Sequence, residues 1–197
     1  MLLREQGGPL TEKQRKMLEE ADRSCGRLGA LVAEMSELGK LEAREAPLAR
    51  QDVDLDALIA EVAAGMHEGE DRGVRLELRG AGRPIIVAGD RNRLSAAFKA
   101  LMHSALRERG EPGTILVESS VVDGSPTWAV VAIGDASVVR SLTQAAAAPP
   151  PFDEWRGGLG LALPVARRVI EAHDGALWSA TNGEARAASA LRLPLRT

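Results

Sequence analysis

Gly157-Gly158-Leu159-Gly160-Leu161-Ala162-Leu163 is the stretch on which the reading of this chain turns. It follows a loose, proline-marked segment and opens an amphipathic run. From Ala162 the apolar positions fall at Ala162, Val165, Ala166, Val169 and Ile170, one face of a helix. The glycines therefore lie at a helix entrance, where the first amide N–H groups lack intrahelical partners. A backbone without Cβ admits an anion closely there, and the helix dipole favours negative charge. One reading is a phosphate-binding turn; the other is a flexible hinge ahead of a packed helix, since short glycine runs are weakly specific.

Downstream, Glu171-Ala172-His173-Asp174-Gly175 ends the helix, Ala176-Leu177-Trp178-Ser179-Ala180 reads as a strand, and a second strand from Ala187 to Leu193 runs into Leu193-Pro194-Leu195. This run resembles the C-terminal end of the ATP-binding domain of sensor histidine kinases. In that family a G-x-G-L-G-L box, a helix ending near H-G-G and a last strand ending L-P follow one another in this order. The resemblance implies ATP phosphates at Gly158 and Gly160, with Leu161 opening the helix behind them.

Composition sets the bounds. A chain of 197 residues accommodates one ordinary domain and a smaller element, and an apolar fraction of 45% builds a core. With Tyr absent and Phe and Trp scarce, that core is aliphatic and alanine-rich. A net charge of −3 argues against general nucleic-acid binding and against a polybasic membrane patch. The single cysteine, Cys25, excludes an internal disulfide framework and suits a reducing, cytoplasmic compartment. The sequence contains no apolar run of transmembrane length and no signal-peptide pattern, so it reads as soluble.

At the N-terminal end, Gly7-Gly8-Pro9 marks a turn and Thr11-Glu12-Lys13-Gln14 is a capping box. One long helix is predicted over about 11–42. Leu18, Ala21, Cys25, Leu28, Val32 and Met35 recur in steps of three and four, a heptad seam that asks for a partner helix. A single core-facing helix would show the same spacing over a shorter length. The segment Arg27 to Glu42 resembles the second helix of the histidine-kinase dimerisation hairpin, which implies a homodimer through residues 11–41. The family's phospho-accepting histidine lies in the first helix, in an H-E-[LI]-[RK]-[TN]-P-L setting. No histidine precedes His67 here, and His67 sits in a polar stretch that reads as a solvated loop.

A linker follows at 47–50, and 51–197 reads as the ATP-binding domain, opening with an N-cap aspartate and a short amphipathic helix over Leu55 to Val62. Val74–Leu78, Ile85–Ala88, Thr114–Ser120 and Thr127–Ile133 are predicted strands, the last two flanking the Asp123-Gly124 turn signal. Asp90-Arg91-Asn92-Arg93-Leu94 starts a helix with Leu94, Ala97, Phe98, Leu101, Ala105 and Leu106 on its buried face. Family members carry N-L-L-x-N-A-x-K along this helix, and the second asparagine holds the magnesium ion that bridges the ATP phosphates. This chain reads Ala100-Leu101-Met102-His103-Ser104-Ala105-Leu106-Arg107. Ser104 stands at the metal-holding asparagine and Arg107 at the basic position. A serine hydroxyl is a shorter and weaker ligand for a hard cation than an amide oxygen, and Ala100 offers none. A lone imidazole is a poor magnesium ligand, so His103 reads as a surface or satisfied helix residue.

The family's D-x-G-x-G box, whose aspartate receives the adenine amino group, appears as Asp135-Ala136-Ser137-Val138-Val139. Asp135 matches the aspartate, or is a turn residue at a strand end. Valine resists positive φ and close ligand approach, so the loop must take another shape. Residues 140–156 correspond to the family's lid over ATP and contain Ala145-Ala146-Ala147-Ala148-Pro149-Pro150-Pro151, predicted to be mobile or partly polyproline II. Phe152 and Trp155 are candidate anchors for its end, or an exposed partner site.

The sequence thus predicts an α/β fold of the α+β sandwich kind, a mixed sheet on helices behind a long helix, with half a dimerisation hairpin at 1–46. The resemblance implies a two-component protein of one of two sorts. One is a degenerate ATP-binding module acting through dimerisation or response-regulator docking. The other is an active catalytic portion that binds Mg-ATP and phosphorylates a histidine outside this chain. Asp135, Gly158, Gly160, Leu161, Ser104 and Arg107 are the candidate cofactor-binding residues, for ATP and magnesium bound weakly if at all; no residue is assigned as catalytic or as a metal ligand.

Overall fold

The computed structural model describes residues 8–43, 47–155, 160–180 and 188–196. The long helix α1 spans Glu12–Glu42. Its start is the capping box read from sequence: Gln14 N–H donates to Thr11 Oγ1 at 3.3 Å while Thr11 N–H donates to Gln14 Oε1 at 2.9 Å. No α1 residue is buried, and the seam residues Leu28, Val32 and Met35 are 63%, 65% and 59% exposed. No helix among the described residues is long and apolar enough to cross a membrane.

A five-residue strand, β1 (Arg50–Asp54), follows the linker and pairs antiparallel with β3 (Ile86–Asp90). It was not visible in the sequence, because Val53 is its one buried residue and no apolar alternation develops. Asp54 caps α2 (Leu55–Ala64), its carboxylate accepting from Asp56 and Ala57 N–H at 3.1 and 3.3 Å. The main sheet has the order β2 (Val74–Arg79), β4 (Gly113–Val122), β5 (Trp128–Gly134), β7 (Ser189–Pro194), β6 (Ala176–Ser179). β2 runs parallel to β4 and the other pairs are antiparallel.

Strand alternation divides the core. Ala129, Val131 and Ile133 of β5 face a cluster built with α2, α3 (Arg91–Glu108) and α5 (Ala162–Ala172), including Leu58, Phe98, Leu101, Leu163, Val169 and Ile170. Val130 and Ala132 face the other way, into a second cluster with Leu116, Trp178 and Ala190. A strand covered on both faces reads as a continuous apolar run, which is why Ala129–Ile133 shows no polar alternation.

The second cluster is capped by α4 (Ala136–Gln144), which buries Val139 and Leu142. Trp178 is fully buried there and its indole N–H donates to the Leu142 carbonyl at 3.1 Å. This corrects the first part of the expected lid, residues 140–147, while 148–153 carry no regular secondary structure. Residues 136–144 are helical, the alanines continue into a 3-10 turn at 145–147, and the segment lies on the outer face of the sheet. Arg192 holds it there, its guanidinium stacked 4.4 Å from the Trp128 ring centroid and donating to the Ala146 carbonyl. Of the two candidate anchors, Phe152 joins the main core, whereas Trp155 is 71% exposed.

α5 ends in a Schellman turn: Asp174 takes a left-handed φ of 61°, Gly175 N–H donates to Ile170 O at 3.0 Å, and Asp174 N–H to Glu171 O at 3.0 Å. Gly175 is required by contact, since a Cβ there would stand 2.3 Å from the Arg192 carbonyl oxygen. His173 is buried as a neutral ring. Its Nε2 accepts from the Asp90 backbone N–H at 2.8 Å, which leaves the proton on Nδ1, donated to the Val169 carbonyl at 2.7 Å. Burial pushes its pKa below the ordinary 6.5, outweighing the stabilising Val169 bond. The unfolded chain therefore takes up a proton below about pH 6.5 that the folded chain refuses, so this contribution is complete above that pH and is lost as pH falls. Urea midpoints measured from pH 7.5 to pH 5.5 are expected to fall more steeply for the parent protein than for His173→Asn.

Candidate nucleotide site

α3 and the strand end of β5 place Asp135 and Ser104. Asp135 occupies the N-cap position of α4, yet its carboxylate caps no amide. It is ion-paired instead with Arg109, the C-cap residue of α3. The guanidinium reaches Asp135 across Gly113, where a Cβ would stand 2.2 Å from Arg109 Nη2. Nothing in the sequence pattern marked Arg109, because the pairing joins residues that the fold alone brings together. The D-x-G-x-G box is broken at Ser137 and Val139, and the backbone at Val138 and Val139 shows what replaces it. Their amides donate to the Asp135 carbonyl at 2.8 and 3.0 Å, so the box has become the first turn of a helix.

Ser104 is fully buried on α3, and its hydroxyl donates to Glu108 Oε1 at 3.1 Å. Magnesium requires accessible oxygens in near-octahedral array, whereas this hydroxyl is enclosed and already bonded, and Ala100 has no oxygen to add. The residues at the family's metal position do not fit the ion. Among the described residues no group of three or more His, Cys, Asp or Glu is arranged to hold a metal. His103 pairs with Glu68, and His67 with Glu70 at 3.0 Å. Arg107 is exposed and lines an open cleft with residues 67–72, a lining that includes neither Asp135 nor Gly160. Arg72 donates from this side to the carbonyls of Leu106, Arg107 and Arg109 at 3.0, 3.4 and 3.2 Å, closing the C-terminal end of α3 with positive charge.

Gly158 lies outside the described residues. Gly160 has a left-handed φ of 64°, and a Cβ there would stand 3.4 Å from Glu34 Oε2 and 3.6 Å from Leu31 Cδ1. Leu161, the N-cap residue of α5, donates its amide to that same Glu34 oxygen at 3.1 Å. The long helix therefore rests on the domain at the helix entrance that the glycine box opens. Two further pairs fasten it: Arg93 Nε to Glu37 at 2.8 Å and Arg168 to Glu42 at 3.4 Å. At about 100° per residue, Glu34, Glu37 and Leu41 lie roughly 150° around α1 from Leu28, Val32 and Met35. The helix leans on the domain with one side and leaves the heptad seam free.

No family model matches the chain. Sensor protein SphS of Synechococcus elongatus is 31% identical over 189 residues, covering 86% of this chain; the chain spans 43% of that relative's length. The Acinetobacter baumannii histidine kinase AdeS superposes with a TM-score of 0.69 at 20% identity, covering 96% of this chain and 87% of that one. Full-length ShkA, solved in complex with AMPPNP, superposes at 0.72 with 22% identity, covering 99% of this chain and 41% of that one. The chain is related in sequence to a sensor histidine kinase and has the fold of the histidine-kinase catalytic domain behind a long helix.

Restoring the family's residues one by one carries a cost that the sequence conceals. Val139→Gly deletes a side chain that is 1% exposed and places glycine in a helix. It is expected to lose roughly 2–3.5 kcal/mol in urea unfolding, from about 1.5–3 kcal/mol of burial and about 0.4 kcal/mol of helix propensity of glycine against valine.

Proposed function

We propose that this chain is a degenerate histidine-kinase-like module of two-component signalling, cytoplasmic and dimeric, which keeps the ATP-binding fold and acts through association and response-regulator docking. The observation that carries this reading is the fate of the segment after Asp135. Instead of a glycine-hinged loop over a nucleotide, it is a helix whose Val139 and Leu142 are core residues of the sheet's outer face. The Asp135–Arg109 pair and the enclosed Ser104 hydroxyl support the same reading, because each occupies a group that nucleotide or metal would need. Phosphoryl transfer depends on positioning and on metal-assisted charge neutralisation, and this chain's own residues supply neither of the usual oxygen ligands.

A second reading, an active catalytic portion serving a histidine outside this chain, rests on Gly160, which keeps a left-handed backbone beside an α5 amide able to receive an anion. Calorimetric titration with a non-hydrolysable ATP analogue and magnesium separates the two. A dissociation constant much weaker than micromolar is expected; a low-micromolar or tighter value overturns the degenerate reading.

Association follows from the free seam. Exposed apolar area costs about 25 cal/mol per Å² in water, and α1 presents Met17, Leu28, Val32 and Met35 without cover. A second copy offers the same stripe, and α1 stays docked on its own domain while its seam pairs. Sedimentation at tens of micromolar is expected to give dimers, and Leu28→Glu monomers; a monomeric parent protein removes this part of the proposal.

A further inference from the structure

We infer that Glu34 is an internal anion that holds the long helix on the glycine turn, so that α1 docking and binding of a phosphate chain at the Leu161 amide exclude one another. The contact is specific in geometry. The Leu161 amide belongs to the entrance of an eleven-residue helix and donates to Glu34 Oε2 at 3.1 Å, and the same oxygen lies 3.4 Å from where a Cβ of Gly160 would be. Such an amide at the positive end of a helix dipole donates to one anionic oxygen at this distance, and a carboxylate already supplies it. Gly160 matters on both counts. Its left-handed φ leads into the Leu161 amide that meets α1, and the absence of a side chain lets Leu31 and Glu34 approach.

The remaining contacts of α1 make this a latch with limited hold. Glu37 meets Arg93 at 2.8 Å and Glu42 meets Arg168 at 3.4 Å. Arg93 Nη1 also donates to the Pro47 carbonyl at 3.1 Å, so the latch and the linker share one guanidinium. No α1 residue is fully buried, and the exposed Arg168–Glu42 pair holds weakly. A polyphosphate brings several negative oxygens to the turn and displaces one carboxylate, and the helix end then leaves the domain. In a dimer paired through the seam, that release changes how each domain sits against the helices. The inference rests on the glycine turn being the place where phosphate groups bind.

The test uses the full chain and metal-free tripolyphosphate, which needs neither magnesium nor an adenine contact. Glu34→Ala is expected to bind it about tenfold more tightly than the parent protein, the worth of one charge-assisted hydrogen bond. Glu20→Ala, an exposed glutamate of the same helix, controls for the lost charge and is expected to leave affinity within about twofold of the parent. Hydrogen exchange reads the latch without any ligand: the Leu161 amide is expected to exchange faster in Glu34→Ala and unchanged in Glu20→Ala. An equal gain in the two variants, no gain in either, or an unaltered Leu161 exchange rate overturns the inference. Tight binding of magnesium and the ATP analogue by the parent protein would overturn the degenerate reading instead, and leaves the ratio between the two variants as the measure of the latch.

Discussion

Asp90 is the residue on which the arrangement of the domain depends. Its carboxylate accepts from the Arg93 amide at 3.2 Å, capping α3, and from the Ala49 amide at 3.1 Å, fixing the linker. Its own N–H donates to His173 Nε2 at 2.8 Å, which ties the end of β3 to the end of α5. Burial works against the charge, but the Arg93 and Ala49 amides and the Arg93 guanidinium outweigh it and hold the carboxyl below its ordinary range. Gly89 makes room for this junction, since a Cβ there would lie 2.6 Å from Leu94 Cδ1 and 3.1 Å from His173 Cδ2. Two helices, a strand pair and the linker converge on one aspartate, and through Arg93 and Glu37 the long helix joins them.

From that junction outward, the groups that a nucleotide would meet are already in use. Asp135 faces Arg109, Ser104 bonds Glu108, and the Leu161 amide holds Glu34. Each is a local satisfaction of a polar group by a nearby partner. The outer layer adds to this. Once Val139 and Leu142 are packed against Trp178, the segment that would cover a nucleotide has become part of a core, and releasing it exposes that core to water.

The sequence carried the fold well where a helix or strand has one buried face. The capping box at Thr11 and the α3 stripe from Leu94 to Leu106 stand where periodicity put them, while the α5 face buries Ala166, Val169 and Ile170 as expected but takes Leu163 and Pro164 in place of the half-buried Ala162 and Val165. β1 escaped because its pairing is made by backbone bonds with a single buried side chain. α4 escaped because a tract of alanines and prolines follows it, and because the family comparison assigned the segment to a lid. The lost glycines did signal that the loop had changed, though not that it had become a helix. Arg109, Glu34 and His173 were illegible for one shared reason: the partners are separated by 26, 127 and 83 residues, and only the tertiary fold brings them together.

The most direct test of this account is hydrogen exchange over residues 136–144, with and without saturating magnesium and a non-hydrolysable ATP analogue. Residues packed into a core exchange only by opening against its stability, whereas loop amides exchange freely until a ligand orders them. The account predicts that the amides of α4 beyond its first turn are protected in the free protein and that nucleotide changes them little. Rapid exchange in the free protein, converted to protection by nucleotide, would contradict it and return the segment to the role of a lid.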